Sequence, residues 1–493
     1  MADASTQFLN FQRVLPEAIL CLFGIMIMIL DPLLGKGRQR VLGWFAFLGA
    51  IAGLVAVAGM CIVAAHGSSM GYSNLISADY FSIFVHVVVI VAAALVILGS
   101  FDYLDAEGIQ RGEYYALILF AAAGMGILAS ANELVTAFVG LEMSSIASYI
   151  LAGFRQHAAK SNEASLKYFI LGSFATAFFL YGVAMTYGAT GSTRIDVIER
   201  HFMDSAATAT VLPMLGLALM FVGLGFKVVA APFQIYAPDV YEGAPTPVTS
   251  LLASAPKVAT FALMIRVFFV AFGSAIHVWF WVIWVSAVLT MLVGNFGALV
   301  QTNVKRMLAY SSIAHAGYIL VAFAAGTDIG IAAILFYLAA YSLMKVGAFL
   351  IVTQLGQKDE KRLDIKDYAG LGTKQPILAA CFALFLLSLL GLPATGGFLG
   401  KFFAFQATLD SKIVWLVVIA ALNSVVGAYY YLRVIVSMYF SEPTQEFAPV
   451  PVGLPMTSAL FVAALGTLYL GLMPSRVLDL ARVAAESLFP AAR

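Results

Sequence analysis

Seven ionisable residues stand inside long apolar runs: Glu142, Lys167, Lys227, Lys257, Lys345, Lys401 and His315. A charge at the centre of a membrane helix costs about 2.5–3.5 kcal/mol on the insertion scale. Groups that carry such a cost usually face a polar interior and work there. Glu142, in NELVTAFVGLEMSSIASYIL, is the only acid at such depth. Lys227 precedes Pro232 by five residues, Lys257 follows Pro256 directly, and Lys401 follows Pro393 among Phe398, Phe402 and Phe403. His315 lies in MLAYSSIAHAGYIL with Ser311, Ser312 and Tyr318 nearby, and Lys345 lies in YSLMKVGAFL. For these two, core hydrogen bonding and proton transfer are both open. Lys167 stands one turn inside its run, where an interfacial role and a proton-uptake role are open.

Burial disfavours the charged form of a lysine, and a neighbouring carboxylate restores it. A lysine whose distance to Glu142 changes can therefore load and release a proton. One acid, several lysines and a histidine, each on its own span, suit a lateral proton wire. Hydrolysis would need a nucleophile and base held together, and hard cations want several oxygen ligands. The remaining deep or flanking charges read as bland. Arg266 and Arg433 lie near run ends and are expected to snorkel. Glu133 is expected at an interface, Asp239 and Glu242 as solvated loop acids, and His86 and His277 show no partner pattern.

The elements that position these groups follow from composition. The 493 residues are 62% hydrophobic and 11% charged, with 27 Lys+Arg against 26 Asp+Glu. A soluble domain carries about 25% charge, so the chain reads as a polytopic all-α membrane protein. Its apolar runs are about 20 residues and unbroken, which fits spanning helices and not the alternating strands of a β-barrel. The near-zero net charge argues against nucleic acid. Cys21, Cys61 and Cys381 are far apart and form neither a metal-ligand spacing nor a disulfide framework. The first segment lacks a basic start, so the first helix is expected to be retained.

Fourteen spans are predicted, near 14–33, 41–65, 79–101, 114–131, 133–153, 163–189, 210–230, 247–272, 277–300, 305–325, 329–355, 376–408, 412–440 and 456–473. Cytoplasmic placement of the loop 35–40 puts 13 Lys and Arg on that side and 7 on the other, and predicts both termini outside. Lys305 and Arg306 count among the cytoplasmic loop charges. Spans 7, 8 and 12 are expected to be interrupted, at Pro232, Pro256 and Pro393. Proline removes a helical hydrogen bond, and in lipid a broken backbone must face protein or water. The predicted organisation is three N-terminal helices in 1–110, a first block of spans 4–8 in 111–275, a second of spans 9–13 in 276–441, and a last span and tail in 442–493. An odd number of spans per block inverts one block relative to the other, the arrangement of many transporters.

The segments GLEMSSIASYIL, LGFKVVAAPFQIYAPDVYEGAPTPVTSLLASAPK, VKRMLAYSSIAHAGYIL and LSLLGLPATGGFLGKFFAF resemble the antiporter-like membrane subunits of respiratory complex I. The N branch of the bacterial NADH–quinone oxidoreductase is the nearest match. Gln234 and Tyr236 stand where the L and M branches read histidine and tryptophan. Lys401 stands where the M branch has glutamate, and the chain ends about 20 residues after span 14, without the long lateral helix of the L branch. The resemblance implies two inverted five-helix repeats, discontinuous helices 7 and 12, and proton translocation through Glu142, Lys227, Lys257 and Lys401, with Lys167 as an additional lysine. It also implies a bacterial inner-membrane location beside other antiporter-like and small membrane subunits. No cofactor is expected on this chain; NADH, FMN, iron–sulfur clusters and quinone are expected in other subunits. The rival readings are a stand-alone or Mrp-type Na⁺/H⁺ antiporter subunit and a non-conducting structural subunit.

Overall fold

Long apolar runs in lipid must satisfy their own backbone, and helices do so. A computed structural model describes residues 4–35, 39–65, 69–204, 211–356, 358–442 and 451–489. Lys36, Arg38 and Arg493, used for orientation, lie outside the described residues. The short α1 (Ala4–Arg13) is followed by α2 (Leu15–Leu30), α3 (Arg40–Ala65) and α4 (Tyr80–Glu107). Next come α5 (Gly112–Ser130), α6 (Leu134–Ala152), α7 (Ala159–Thr190), α8 (Ile195–Asp204), α9 (Val211–Lys227), α10 (Ala237–Gly243) and α11 (Thr246–Ile265). The chain continues through α12 (Ile276–Leu299), α13 (Val304–Ala324), α14 (Asp328–Gly356), α15 (Leu371–Lys374), α16 (Pro376–Leu390), α17 (Gly396–Asp410) and α18 (Val414–Phe440). It closes with α19 (Leu454–Leu472) and α20 (Ser475–Glu486). A two-residue hairpin, Met70–Gly71 with Ile76–Ser77, lies between α3 and α4.

Among the described residues, twelve helices are long and apolar enough to cross a membrane. The seventh and twelfth predicted spans are each in two pieces, α9 with α10 and α16 with α17. After α9 the chain turns at Val229, which has φ 57°. The freed groups of Ala231 are taken by α12: its N–H donates to Thr290 Oγ1 at 2.7 Å, and Ser286 Oγ donates to its carbonyl at 2.9 Å. Between α16 and α17 the turn uses Gly391 at φ 98° and Ala394 at φ 69°. The Gly397 N–H then donates to Ser388 Oγ at 3.1 Å.

The expected break of span 8 is absent. Helix α11 runs through Pro256 and continues into a π-helical turn, Arg266–Ala271. Pro256 frees the carbonyl four residues back, that of Leu252, and the Tyr241 hydroxyl donates to it at 2.9 Å. A neighbouring side chain thus replaces the missing N–H and the helix need not open.

Every residue of α11 is buried, and α13 and α14 are nearly as enclosed. They form the axis of the bundle, with α4, α5, α12, α17, α19 and α20 packed around them. Helix α5 pairs with α6 and α7 with α9; five spans later α12 pairs with α13 and α14 with α17. Polar caps fix the ends: Asp79 accepts from the Ser82 N–H, Glu133 from Val135 and Thr136, and Asn303 from Arg306. Glu133 is buried at this cap.

Candidate functional site

The axial helices carry a buried polar line. Lys257 of α11 is 0% exposed; its ammonium donates to the Ser312 carbonyl and Oγ, both at 2.6 Å. The Ser312 hydroxyl meets the Tyr341 hydroxyl at 2.6 Å, and Tyr341 donates onward to the Ala253 carbonyl. One helical step away, Lys345 of α14 donates to the Leu308 carbonyl at 2.7 Å and to Ser311 Oγ at 2.9 Å. Ser311 is hydrogen-bonded to the Tyr431 hydroxyl of α18, which lies 3.2 Å from His315 Nε2. His315 Nδ1 lies 2.9 Å from the Tyr337 hydroxyl. Lys345, Ser311, Tyr431, His315 and Tyr337 therefore form one continuous string. Hydroxyls and imidazole both donate and accept, so each link between the ammonium and Tyr337 can pass a proton.

The two outer lysines sit at the helix breaks. Lys401 of α17 donates to the Leu390 carbonyl at 2.8 Å and to Ser424 Oγ at 2.9 Å, and its ammonium lies 4.8 Å from the Tyr318 ring centroid. It fills the vacancy left by the broken span, because the C-terminal carbonyl of α16 has no helical donor. Tyr318 continues the polar line through Asn295 to Tyr430. Lys227 ends α9 and is boxed by the rings of Tyr149 and Tyr168, 5.1 and 5.2 Å from its ammonium. It is 7% exposed, so it does not snorkel. Glu142 is half-buried on α6, and its Oε1 is enclosed without a hydrogen-bond partner. Among the described ion pairs within 4.0 Å, none joins Glu142 to Lys227. A crevice of about 440 Å³, lined by Glu113, Gln156 and Asn162, reaches Tyr149 from the α6–α7 turn.

Lys167 is not part of the buried line. Its side chain is 40% exposed, and its ammonium contacts Glu163 and Asp239, each at 2.7 Å. Asp239 and Glu242 are ion-paired instead of simply solvated: Arg306 bridges both at 2.8 Å, and Lys160 adds to Glu242. These groups line a polar pocket of about 170 Å³.

Three further charges differ from expectation. Lys305, counted as a loop charge, is 0% exposed and contacts Glu360 at 2.8 Å. Glu360, from the loop before α15, also accepts from the Thr246 N–H and hydroxyl and from Tyr103, with Arg155 3.4 Å away. Burial alone would raise this carboxyl, yet Lys305, Thr246 and Arg155 hold it below its ordinary range. Arg266 does not snorkel: it is 4% exposed and donates to both oxygens of Asp79 at 2.8 Å. His86 has a partner, Glu17, at 2.8 Å. Arg433 lies near its helix end and donates to the carbonyls of Leu299 and Gln301. Of the tyrosines of the line, sequence reasoning singled out Tyr318 alone; Tyr337 and Tyr341 precede Lys345 by eight and four residues, a helical spacing that could have marked them, whereas Tyr431 lies on α18, a helix without a lysine.

A profile of the family described as NADH:quinone oxidoreductase/Mrp antiporter, TM, matches residues 131–427. A protein of Solibacter usitatus named NADH-quinone oxidoreductase subunit N 1 is 48% identical over 477 residues, 97% of each chain. The NADH-quinone oxidoreductase subunit N of Trichlorobacter lovleyi is 43% identical over 481 residues, 97% of this chain and 98% of that one. A chain of respiratory complex I from Thermus thermophilus superposes with a TM-score of 0.79 at 35% identity, covering 95% of this chain and 99% of that one. A chain of the Mrp complex from Dietzia sp. has a TM-score of 0.85 at 21% identity, over 97% and 98%, and shares the fold. The buried lysine line on a multi-pass helical scaffold thus belongs to a member of the NADH–quinone oxidoreductase subunit N family.

Proposed function

We propose that this chain translocates protons across a bacterial inner membrane, driven by quinone reduction in other subunits of an NADH–quinone oxidoreductase. NADH, FMN, iron–sulfur clusters and quinone are handled there, and both termini of this chain face the periplasm. The observation that carries the reading is the hydrogen-bonded string that Lys345, Ser311, His315 and Tyr337 of the enclosed helices α13 and α14 form with Tyr431 of α18. Apolar residues would pack that axis equally well, whereas lysine, serine, tyrosine and histidine in contact give every link a movable hydrogen. The recurring pairs α5–α6 with α12–α13 and α7–α9 with α14–α17 support two five-span repeats, 111–275 and 276–441.

In this reading protons are taken up at the cytoplasmic face, where the Lys167 ion cluster and the Tyr149 crevice flank Lys227. They pass to Lys257, then through Lys345 and His315, and leave by Lys401. Glu142 sets the charge state of Lys227, and a change in their separation loads or unloads the lysine. Its enclosed and unpartnered Oε1 is suited to such a shift.

The test is the whole complex in proteoliposomes. Lys257→Met keeps length and packing and removes the movable proton. The expected result is a lower proton-to-electron ratio with NADH oxidation retained once an ionophore collapses the gradient. An unchanged ratio would overturn the proposal. Na⁺ for H⁺ exchange by the chain alone, without redox partners, would instead favour an antiporter.

A further inference from the structure

The three N-terminal helices take no part in the path above, yet they enclose an acid and a base. Glu17 of α2 is 5% exposed and His86 of α4 is 1% exposed. His86 Nδ1 lies 2.6 Å from the Ser82 carbonyl, and Nε2 lies 2.8 Å from Glu17 Oε1. A carbonyl oxygen only accepts, so Nδ1 carries a hydrogen. The 2.8 Å contact to Glu17 then needs one further proton, on Nε2 or on Oε1. The pair is neutral overall with that proton in either place, which lets it be held among apolar helices. Without it, two lone pairs would face each other.

Glu17 Oε2 is enclosed and has no hydrogen-bond partner, so only Oε1 of the carboxyl is engaged and the shared proton is held by a single contact. On the opposite side the pair is clamped by bare backbone: a Cβ on Gly126 of α5 would lie 2.8 Å from His86 Nε2 and 3.0 Å from Glu17 Oε1.

The pair is tied to the first repeat. Ser82, whose carbonyl orients His86, donates its N–H to Asp79 at 2.7 Å. Asp79 in turn receives both contacts from Arg266 at 2.8 Å, with Ser77 Oγ on the same carboxylate. Arg266 directly follows α11, nine residues and about 13 Å along the helix from Lys257. The charged and titratable groups around the pair are Asp79 and Arg266 beyond Ser82, with Arg13 and Cys21 one turn to either side of Glu17. A displacement of α11 moves Arg266, Asp79, the first turn of α4 and hence His86.

We propose that Glu17 and His86 form a proton-binding site outside the two repeats, on the periplasmic half of the N-terminal helices, linked to α11 through Asp79 and Arg266. The site rests on the proton-translocating reading of this chain. It binds and releases one proton as displacement of α11 tightens and loosens the Glu17–His86 contact.

The whole complex in proteoliposomes, with its periplasmic face toward the lumen, tests this. Glu17→Gln and His86→Gln keep a hydrogen-bonding partner and remove the shared proton. Each is expected to lower the proton-to-electron ratio at least twofold and to flatten its dependence on luminal pH. The double variant should be no worse than either single one, because one proton is lost in all three. Infrared difference spectra on NADH addition should lose a carboxyl band in Glu17→Gln, a signal that a purely structural role would not produce. If the glutamine variants do not assemble, Gly126→Ala decides: it leaves both groups present, presses on their contact, and is expected to shift the luminal-pH dependence. Unchanged ratio, pH dependence and spectra while Lys257→Met impairs pumping would overturn this site alone. If Lys257→Met is also without effect, the underlying reading fails with it.

Discussion

Replacing Glu360 by glutamine probes how the segment 358–370 is held to the bundle. The carboxylate accepts from the Thr246 N–H at 2.8 Å, its hydroxyl at 2.6 Å, Tyr103 at 2.9 Å and Lys305 at 2.8 Å. Glutamine keeps an oxygen for Thr246 but turns an NH₂ group toward Lys305, whose ammonium is 0% exposed. Removing one partner of a buried ion pair costs about 3–5 kcal/mol. Lys305 keeps the Ala244 carbonyl as acceptor, so a loss near ~3 kcal/mol is expected. Glu360 also sits at φ 52°, a strained setting of roughly 1–3 kcal/mol that the ion cluster offsets.

The assay is reversible denaturant unfolding of the full chain in detergent micelles, as a double-mutant cycle with Lys305→Met. The double variant should recover at least half of the loss, because no uncompensated charge then stays buried. The sign with pH follows from the folded carboxyl lying below its ordinary range. Its stabilisation is fully present above the unfolded value, about 4.3, and is lost as pH falls through the folded value. The gap between parent and Glu360→Gln should thus persist at pH 7 and shrink at pH 3–4. A loss under about 0.5 kcal/mol, or strict additivity in the cycle, would refute the reasoning.

Two further outcomes follow from the site. In Gly397→Ala the new Cβ would meet the Ser388 backbone carbonyl at far less than contact distance; backbone cannot give way cheaply, so a loss of at least ~3 kcal/mol and poor assembly are expected, read as yield of intact complex. Tyr431→Phe cuts the string between Ser311 and His315; it should cost about 1–3 kcal/mol of stability but stop most coupled proton uptake, measured with a pH dye in proteoliposomes.

Much of this molecule is legible one span at a time. Apolar runs of about 20 residues define spanning helices because each helix satisfies its own backbone. The predicted span boundaries lie within a few residues of most helices, and the breaks near Pro232 and Pro393 are visible as proline and glycine clusters. The short α8 and α20 were not anticipated, being too short and too polar to register as spans. Lys257, Lys345, Lys401 and His315 stood out as costly groups in apolar surroundings, and the structure places them in or beside the polar line. Lys167 stood out in the same way and proved half-exposed.

What the sequence determined was therefore the solvent of the chain, its spans and the presence of buried charge. Pairing was decided only by the tertiary structure. Glu17 and His86 are 69 residues apart, Lys305 and Glu360 55, and Arg266 and Asp79 187. Helices α11, α13 and α14 are enclosed on nearly every side, and in α13 and α14 the hydrophobic pattern has no period that marks which face meets which neighbour. The same enclosure lets Tyr241 rescue the Pro256 helix and lets a loop carboxylate neutralise a lysine that local sequence places in solvent. Such partners are chosen by helix packing, and packing is a property of the whole bundle.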